Sequence, residues 1–379
     1  MSNKEVSLMS KKKIVLIHPE SGISSTGGSQ LSALELADHL APYYDVTLLC
    51  GAKCSPTSKV LPCLPRGKVK PWLNKPIIGP MLKLLAGNPA MLIEAITSLV
   101  PYTLYLLFTK VDLVYPNNDY GGLTIAYIIR KLKKTPVLYT ERAGLVSNGV
   151  VMRRNLKFKP DHLVVFNKEV QEAVKQVNPE QATSIITNGV NIERFSPTGE
   201  KIDFGLTGNI VLAVGSLDRK NHKRMHLAID AVAKTNNCSL VICGSGVDRD
   251  YYNEMGLGLL GETRFKIVSS AFDEMPIMYR SCDVFTLASD NEPFGRVFLE
   301  AMACGKPVVA PNDDMRKIIV GEAGILCNVE DANAYADALK RAAEIKWQAL
   351  PLDQADKFTW EKIAQQYKCV IDSMLETKK

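Results

Sequence analysis

No cysteine spacing repeats in this chain. Its nine cysteines are Cys50, Cys54, Cys63, Cys238, Cys243, Cys282, Cys304, Cys327 and Cys369, an odd number scattered along the sequence. Cys243, Cys282 and Cys304 lie within or beside apolar runs, as small core residues do. The pattern excludes a disulfide framework and predicts reduced thiols in a cytoplasmic protein. No matching histidine or second cysteine pair follows Cys50, Cys54 and Cys63, so no metal centre is predicted. A secretory signal is also missing: Lys11, Lys12 and Lys13 precede only Ile14 to His18 before Pro19. Long uninterrupted apolar runs are missing too. The most apolar segment, Met91 to Phe108, contains Glu94 and Pro101. It predicts a pair of buried or surface-docked helices, not a spanning one.

Acid is absent from Val46 to Ile93, which carries Lys53, Lys59, Arg66, Lys68, Lys70, Lys75 and Lys83. Residues 1–188 hold 23 Lys+Arg against 13 Asp+Glu, whereas the remainder is net acidic. Two readings fit the basic stretch: a solvated face, or a surface that meets an anionic partner such as a phosphate-bearing acceptor or membrane lipid. No nucleic-acid recognition motif accompanies the charge, so nucleic acid is not expected as a partner.

What is present is an alternation of apolar strands and amphipathic helices. The 379 residues, 46% hydrophobic and 23% charged, suit two globular domains. Continuous apolar runs at 12–18, 45–50, 112–115, 136–140, 163–166 and 184–187 read as buried strands, with helices at 29–39, 122–133 and 168–177. Residues 51–90, with seven prolines, read as an irregular excursion with short helices. After the polar stretch 188–209 the alternation restarts. Strands are expected at 210–215, 239–244, 264–268, 283–289 and 307–310, with helices at 224–235, 248–256, 273–280 and 296–303. Two helices, at 331–345 and 359–375, close the chain, the last capped by Thr359. The expected fold class is α/β, with two doubly wound Rossmann-like domains facing a cleft. The boundaries are 1–195, 196–357, and a terminal helix over 358–379 that packs back on the first domain.

The densest constellation is SDNEPFGRVFLEAMACGKPVVA, residues 289–310. Glu292 stands in a loop after a buried strand, Pro293 and Gly295 shape the turn, and Glu300 lies about one turn into the helix that follows. Amides from Phe294, Gly295, Arg296 and Val297 at that helix start form an anion site. Glu300 suits two ribose hydroxyls and Glu292 the hydroxyls of a sugar. The plainer reading makes both surface acids favoured by a helix N-terminus.

This string resembles the signature of glycosyltransferase family 4, retaining enzymes of the two-domain GT-B fold. The Glu292-x7-Glu300 spacing, the flanking PFG and LEAMA, Asn188-Gly189-Val190 with Phe195 and Pro197, Val214-Gly215, Gly244-Ser245-Gly246 and Phe358-Thr359-Trp360 all fit. The likeness runs through nearly all of the second half. In the first half it rests on Gly27-Gly28 and the strand order.

The resemblance implies a hexosyl transfer, in polysaccharide or glycolipid biosynthesis, from a UDP- or GDP-sugar substrate with no cofactor required. Glu292 would hold the donor sugar and Glu300 the ribose. Ser216 stands where the family usually has an arginine on the diphosphate. Of Arg219, Lys220, Lys223 and Arg224, the last two abut the next helix and are the expected diphosphate pair. Gly244 belongs to the donor side. Gly27 and Gly28 would approach the donor from across the cleft. Many members carry histidines after the two first-domain strands that here lead to Tyr115-Pro116-Asn117-Asn118 and Thr140-Glu141-Arg142. Asn117, Asn118 and Arg142 are therefore the acceptor-side candidates, Arg142 facing an anionic acceptor.

Asp248-x-Asp250 has the spacing of a metal-binding D-x-D, yet stands at a helix start where acids are ordinary. The expected partners are a nucleotide-sugar donor, a glycan, lipid-linked or other hydroxyl acceptor, and the inner face of an anionic membrane. Two alternatives remain: a nucleotide-sugar epimerase or hydrolase on the same fold, and a non-catalytic sugar-nucleotide-binding protein.

Overall fold

A computed structural model describes residues 11–23, 28–73, 75, 88–118, 121–290 and 292–376. The chain divides into two compact units: Met1–Ile186 with Ala364–Lys379, and Thr187–Ile363.

The first unit is built on β1 (Lys13–Ile17), whose Ile14, Val15, Leu16 and Ile17 are completely buried. A strand covered on both faces needs such an unbroken apolar run. It pairs in parallel with β2 (Asp45–Cys50) and β4 (Leu113–Pro116), and β2 carries the short edge strand β3 (Ser58–Val60). The order is β3-β2-β1-β4. A second parallel set follows: β5 (Leu138–Thr140), β6 (His162–Val165) and β7 (Thr183–Ile185). An isolated bridge between Val114 and Val137 joins the two sets.

Among the described residues of 51–90 the chain forms the edge strand β3, which is not expected from the sequence, and one short helix, Arg66–Leu73, of the kind that is. The apolar segment forms one continuous helix, Pro89–Phe108, rather than a pair. Asn88 caps it by accepting from the Met91 amide at 3.2 Å. Pro101 does not divide it, because Glu94, Ser98, Tyr102 and Leu106 recur every fourth residue as one buried stripe. Tyr102 and Leu106 join Val15, Ile17, Val114 and Ile125 in the core.

The second unit has six parallel strands in the order β10-β9-β8-β11-β12-β13. They are β8 (Asn209–Val214), β9 (Cys238–Cys243), β10 (Phe265–Val268), β11 (Val284–Thr286), β12 (Val308–Pro311) and β13 (Gly324–Cys327). The order reverses between β8 and β11, and open sheets of this kind bind ligands beyond the carboxyl ends of the strands at such a point. β11 stops at Thr286, short of the expected 289, because the chain leaves the ladder there. The Ala288 carbonyl accepts from Arg224 Nε instead, at 2.7 Å.

β13 and the helices Asp314–Val320 and Leu350–Asp356 have no counterpart in the sequence reading. The last of these is fixed by Gln354, whose amide donates to the carbonyls of Ile318 and Ile319 at 3.0 and 2.9 Å. Three helices therefore close the chain, not two: Ala332–Glu344, Leu350–Asp356 and Trp360–Glu376. Val190 pairs with Thr359 inside the second unit. From Ala364 onward the last helix belongs to the first unit, where the Tyr367 and Thr140 hydroxyls lie 2.9 Å apart and Tyr44 donates to Asp372 at 2.6 Å.

Candidate functional site

The loops after β8 and β11 meet at the reversal point of the second unit. The Asp290 amide donates to the His222 carbonyl at 2.8 Å, and Arg224 reaches Ala288. This contact brings the basic stretch Arg219–Arg224 against the acidic loop that contains Glu292.

Glu292 is the focus of the contact, with 17% of its side chain exposed. Its Oε2 accepts from His222 Nε2 at 3.1 Å and from Lys223 Nζ in a close ion pair. Ser289 Oγ donates to the same oxygen at 3.5 Å. Burial alone would raise the pKa of this carboxyl. Hydrogen bonds from His222 and Lys223, with the charge of Lys223, overcome that and hold it down at about 2. Glu292 is therefore an anion throughout the neutral range.

Gly295 turns the chain from this loop into the helix Arg296–Ala303. Its φ of 90° lies in the left-handed region, and no side chain caps the helix there. The first turn of a helix presents amides without intrahelical partners, which makes it a place for an anion. Phe294 and Gly295 are buried, and Arg296 and Val297 half-buried. Glu300 is held from two sides: Tyr279 donates to Oε2 at 2.9 Å and Arg296 to Oε1 at 3.3 Å. Burial and the nearby Glu300 push the Tyr279 phenol well above its ordinary range, so it remains a donor. A row of edge-to-face rings, Phe195–Tyr279–Phe285–Phe298, supports this arrangement at centroid spacings of 5.8, 5.5 and 5.6 Å.

Arg316 fixes the loop from beneath. It is 4% exposed, pairs with Asp313 at 2.8 Å, and donates from Nη1 to the carbonyls of Glu292 and Phe294 at 2.8 and 3.3 Å. Motif and spacing in the sequence point to neither Arg316, nor His222, nor Tyr279. His222 sits inside the same basic stretch, which is the one local signal for it. Arg316 and Tyr279 lie far along the chain from their partners and leave no local pattern.

The remaining candidates in this unit divide by what they touch. Arg224, at φ 49°, is committed to the Ala288 carbonyl and to Glu330 Oε1 at 2.8 Å. Ser216 is exposed in the loop after β8, its carbonyl accepting from Asn221 at 3.0 Å. Gly244 packs backbone to backbone on Gly215, where a Cβ would strike the Gly215 carbonyl oxygen. Its place in the G-x-G is therefore required by packing between strand ends. Asp248 accepts from the Arg219 amide at 2.8 Å and from its Nε at 3.2 Å.

The first unit gathers its own polar cluster at the strand ends. Asn117 and Asn118 are buried, and Arg142 Nη2 donates to Asn117 Oδ1 at 2.6 Å. His18, at the end of β1, is completely buried, with Nε2 3.2 Å from Ser29 Oγ. Burial, then the charges of Arg66 and Arg142, lower its pKa to about 3, so it is neutral. In the sequence His18 stands at the end of the first strand with no motif that assigns it a role. Gly28 opens the helix Gly28–Leu40, its carbonyl accepting from Ser32 Oγ at 2.8 Å, while Gly27 lies outside the described residues.

Comparison with known proteins gives this site its context. Residues 198–357 match the family model described as glycosyl transferases group 1. An uncharacterized glycosyltransferase of Methanocaldococcus jannaschii is 30% identical over 239 residues, covering 56% of this chain and 61% of that protein. A phosphatidyl-myo-inositol mannosyltransferase of Mycobacterium leprae is 30% identical over 201 residues, covering 50% of this chain and 53% of that protein. The chain thus spans between about half and three fifths of the length of the first curated relatives it matches, from 49% to 61%.

Among solved structures, Anabaena HepE in complex with UDP and glucose superposes with a TM-score of 0.70 at 20% identity, covering 96% of this chain and 100% of that one. Sucrose-phosphate synthase from Thermosynechococcus elongatus superposes with a TM-score of 0.72 at 20% identity, covering 97% and 100%. These likenesses show the fold, two Rossmann-like α/β units of GT-B type.

Proposed function

From the premise that residues 198–357 belong to the glycosyl transferases group 1 family, we propose that this protein is a retaining glycosyltransferase using a nucleoside-diphosphate sugar. The observation that carries the reading is Glu292, an anion held between Lys223 and His222 where the chain enters the helix Arg296–Ala303. Glu300 is anchored by Tyr279 within that helix. Carboxylates suit sugar and ribose hydroxyls, while lysine and first-turn amides suit a diphosphate. The complexes of HepE with UDP, UDP-glucose, and UDP and glucose support a nucleotide-sugar donor for a chain of this fold.

In the proposed step, the bond between the anomeric carbon and the diphosphate oxygen breaks as the sugar becomes cation-like. The acceptor oxygen bonds the anomeric carbon on the same face, and its proton passes to the leaving phosphate. Lys223 and the helix amides stabilise the charge that develops on the diphosphate. Glu292 orients the sugar. Arg224 serves by tying the two site loops together, with Ser216 beside them. Asn117, Asn118 and Arg142 are the acceptor-side groups, and the guanidinium favours an anionic acceptor.

The acceptor is a glycan or lipid-linked hydroxyl compound. The site of action is cytoplasmic, at the inner face of an anionic membrane, in keeping with nine unpaired cysteines and the basic stretch 46–93. The test is a thermal-shift panel of UDP- and GDP-sugars, followed by turnover with and without acceptors. Stabilisation by one donor and acceptor-dependent release of its diphosphate supports transfer. Donor consumption that is indifferent to acceptor replaces it with an epimerase or hydrolase.

A further inference from the structure

The helix Pro89–Phe108 is long and apolar enough to cross a membrane, yet one side of it is core. Glu94, Ser98, Tyr102 and Leu106 point inward, and Tyr102 and Leu106 are completely buried. The opposite side carries Ile96, Val100, Leu104 and Phe108, also every fourth residue, exposed by 61, 62, 47 and 87%. Four large apolar side chains in one row are far more than scattered surface hydrophobics.

A groove of about 540 Å³ runs beside the row, lined by Pro62, Cys63 and Leu64 on one wall and Val100, Pro101 and Leu104 on the other. The neighbouring helix Arg66–Leu73 packs on Pro89–Phe108 and exposes Lys68, Lys70 and Trp72. Lys59 sits 5.1 Å over the Tyr105 ring, and Lys110 is exposed just past the helix end. The acid on this helix, Glu94, is buried and neutralised: Arg66 donates to it through its amide at 3.0 Å and Nε at 3.2 Å. The exposed face is thus apolar along its ridge and basic at its margins, with no exposed acid between Val46 and Phe108.

A helix anchored in a core on one side cannot turn that side to lipid, so it cannot span a bilayer. An apolar ridge flanked by cations fits the interface of an anionic bilayer, where the helix lies in the membrane plane. We propose that the face formed by Ile96, Val100, Leu104 and Phe108, with Trp72, Lys59, Lys68 and Lys70 beside it, docks the first unit on anionic phospholipid. This rests on the membrane contact included in the proposed function and identifies the surface that makes it. A docked first unit would hold Asn117 and Arg142, which belong to the same unit, near a lipid-linked acceptor.

The experiment is co-sedimentation of the full chain with phosphatidylcholine vesicles, with and without phosphatidylglycerol, at low and high salt. Donor binding is measured separately in solution. Binding that needs phosphatidylglycerol and weakens with salt is expected. The double variant Leu104→Ser, Phe108→Ser should lose about tenfold or more in partitioning, as removal of buried apolar area from an interface requires. Lys68→Glu, Lys70→Glu should lose the salt-sensitive part. Both variants should keep the wild-type melting temperature and donor affinity, because their side chains face solvent. Equal vesicle binding by wild type and both variants overturns the proposal, as does no binding at low salt. Self-association abolished by Phe108→Ser, without vesicle binding, would reassign the face to a second copy of this chain. Donor binding without vesicle binding removes the docking face and leaves the transferase reading standing. Vesicle binding without any donor binding does the reverse.

Discussion

Replacing Arg316 by Met tests how the loop that carries Glu292 is held in place. The guanidinium donates from one nitrogen to the Glu292 and Phe294 carbonyls at 2.8 and 3.3 Å, and only 5% of its side chain is exposed. Methionine fills similar volume but leaves both carbonyls without their donor. A hydrogen bond from a charged group is worth about 1.5–3 kcal/mol, and the longer of the two contributes less. The partner Asp313 keeps 38% of its side chain exposed and still accepts from the Arg316 amide at 2.9 Å, so water can solvate most of what it loses. The sum is about 3–4 kcal/mol. In a domain of this size that lowers the melting temperature by roughly 6–15 °C. Below the melting transition the loop should hold Glu292 less firmly, and sugar-nucleotide affinity should drop about tenfold for each 1.4 kcal/mol of positioning lost. The assay pairs differential scanning calorimetry with titration of nucleotide and nucleotide-sugar. A variant that melts within about 2 °C of wild type and binds donor unchanged would refute the reasoning.

Two further outcomes follow from the titrating groups. Lys223→Ala removes a hydrogen bond and a charge that hold Glu292 near pKa 2, so burial should push that carboxyl upward. In the wild type Glu292 should contribute no acid limb to donor binding within the ordinary carboxylate range. In the variant an acid limb should appear at higher pH, and an unchanged pH profile counts against the pairing. His18, lowered to about 3 by burial and two arginines, is neutral when folded but protonates near 6.5 when unfolded. The unfolded chain therefore binds the extra proton first, so this contribution to stability is whole above pH 6.5 and is lost progressively toward pH 3. His18→Gln should flatten that part of the melting-temperature profile, and an equally steep fall in both proteins would show that His18 is not its source.

Much of the frame was legible in advance because its signals are local. A buried parallel strand must be apolar along its whole length, and runs such as Ile14–Ile17 or Leu240–Cys243 announce themselves. The E-x7-E string carries its own turn, helix start and spacing. What escaped was either short or depended on distant partners. β13 has four residues and no alternation. Pro101 and Glu94 suggest a break in a helix whose buried stripe includes Glu94 and runs on past Pro101 to Tyr102 and Leu106. The Glu292 site is completed by Arg316, twenty-four residues away, and by His222, seventy away. Nothing in the spacing of those residues encodes the contacts, which exist because β8, which precedes His222, and β12, which precedes the helix that carries Arg316, both pair with β11.

The central claim is that Glu292 meets the sugar and Glu300 the nucleoside of a donor. Calorimetric titration of a nucleoside diphosphate and the matching nucleotide-sugar, into wild type, Glu292→Ala and Glu300→Ala, tests it most directly. The account predicts that Glu300→Ala weakens both ligands by a similar factor. Glu292→Ala should weaken the nucleotide-sugar by about tenfold or more and leave the bare diphosphate within a small factor. Equal losses for both ligands in both variants, or none in either, would contradict it.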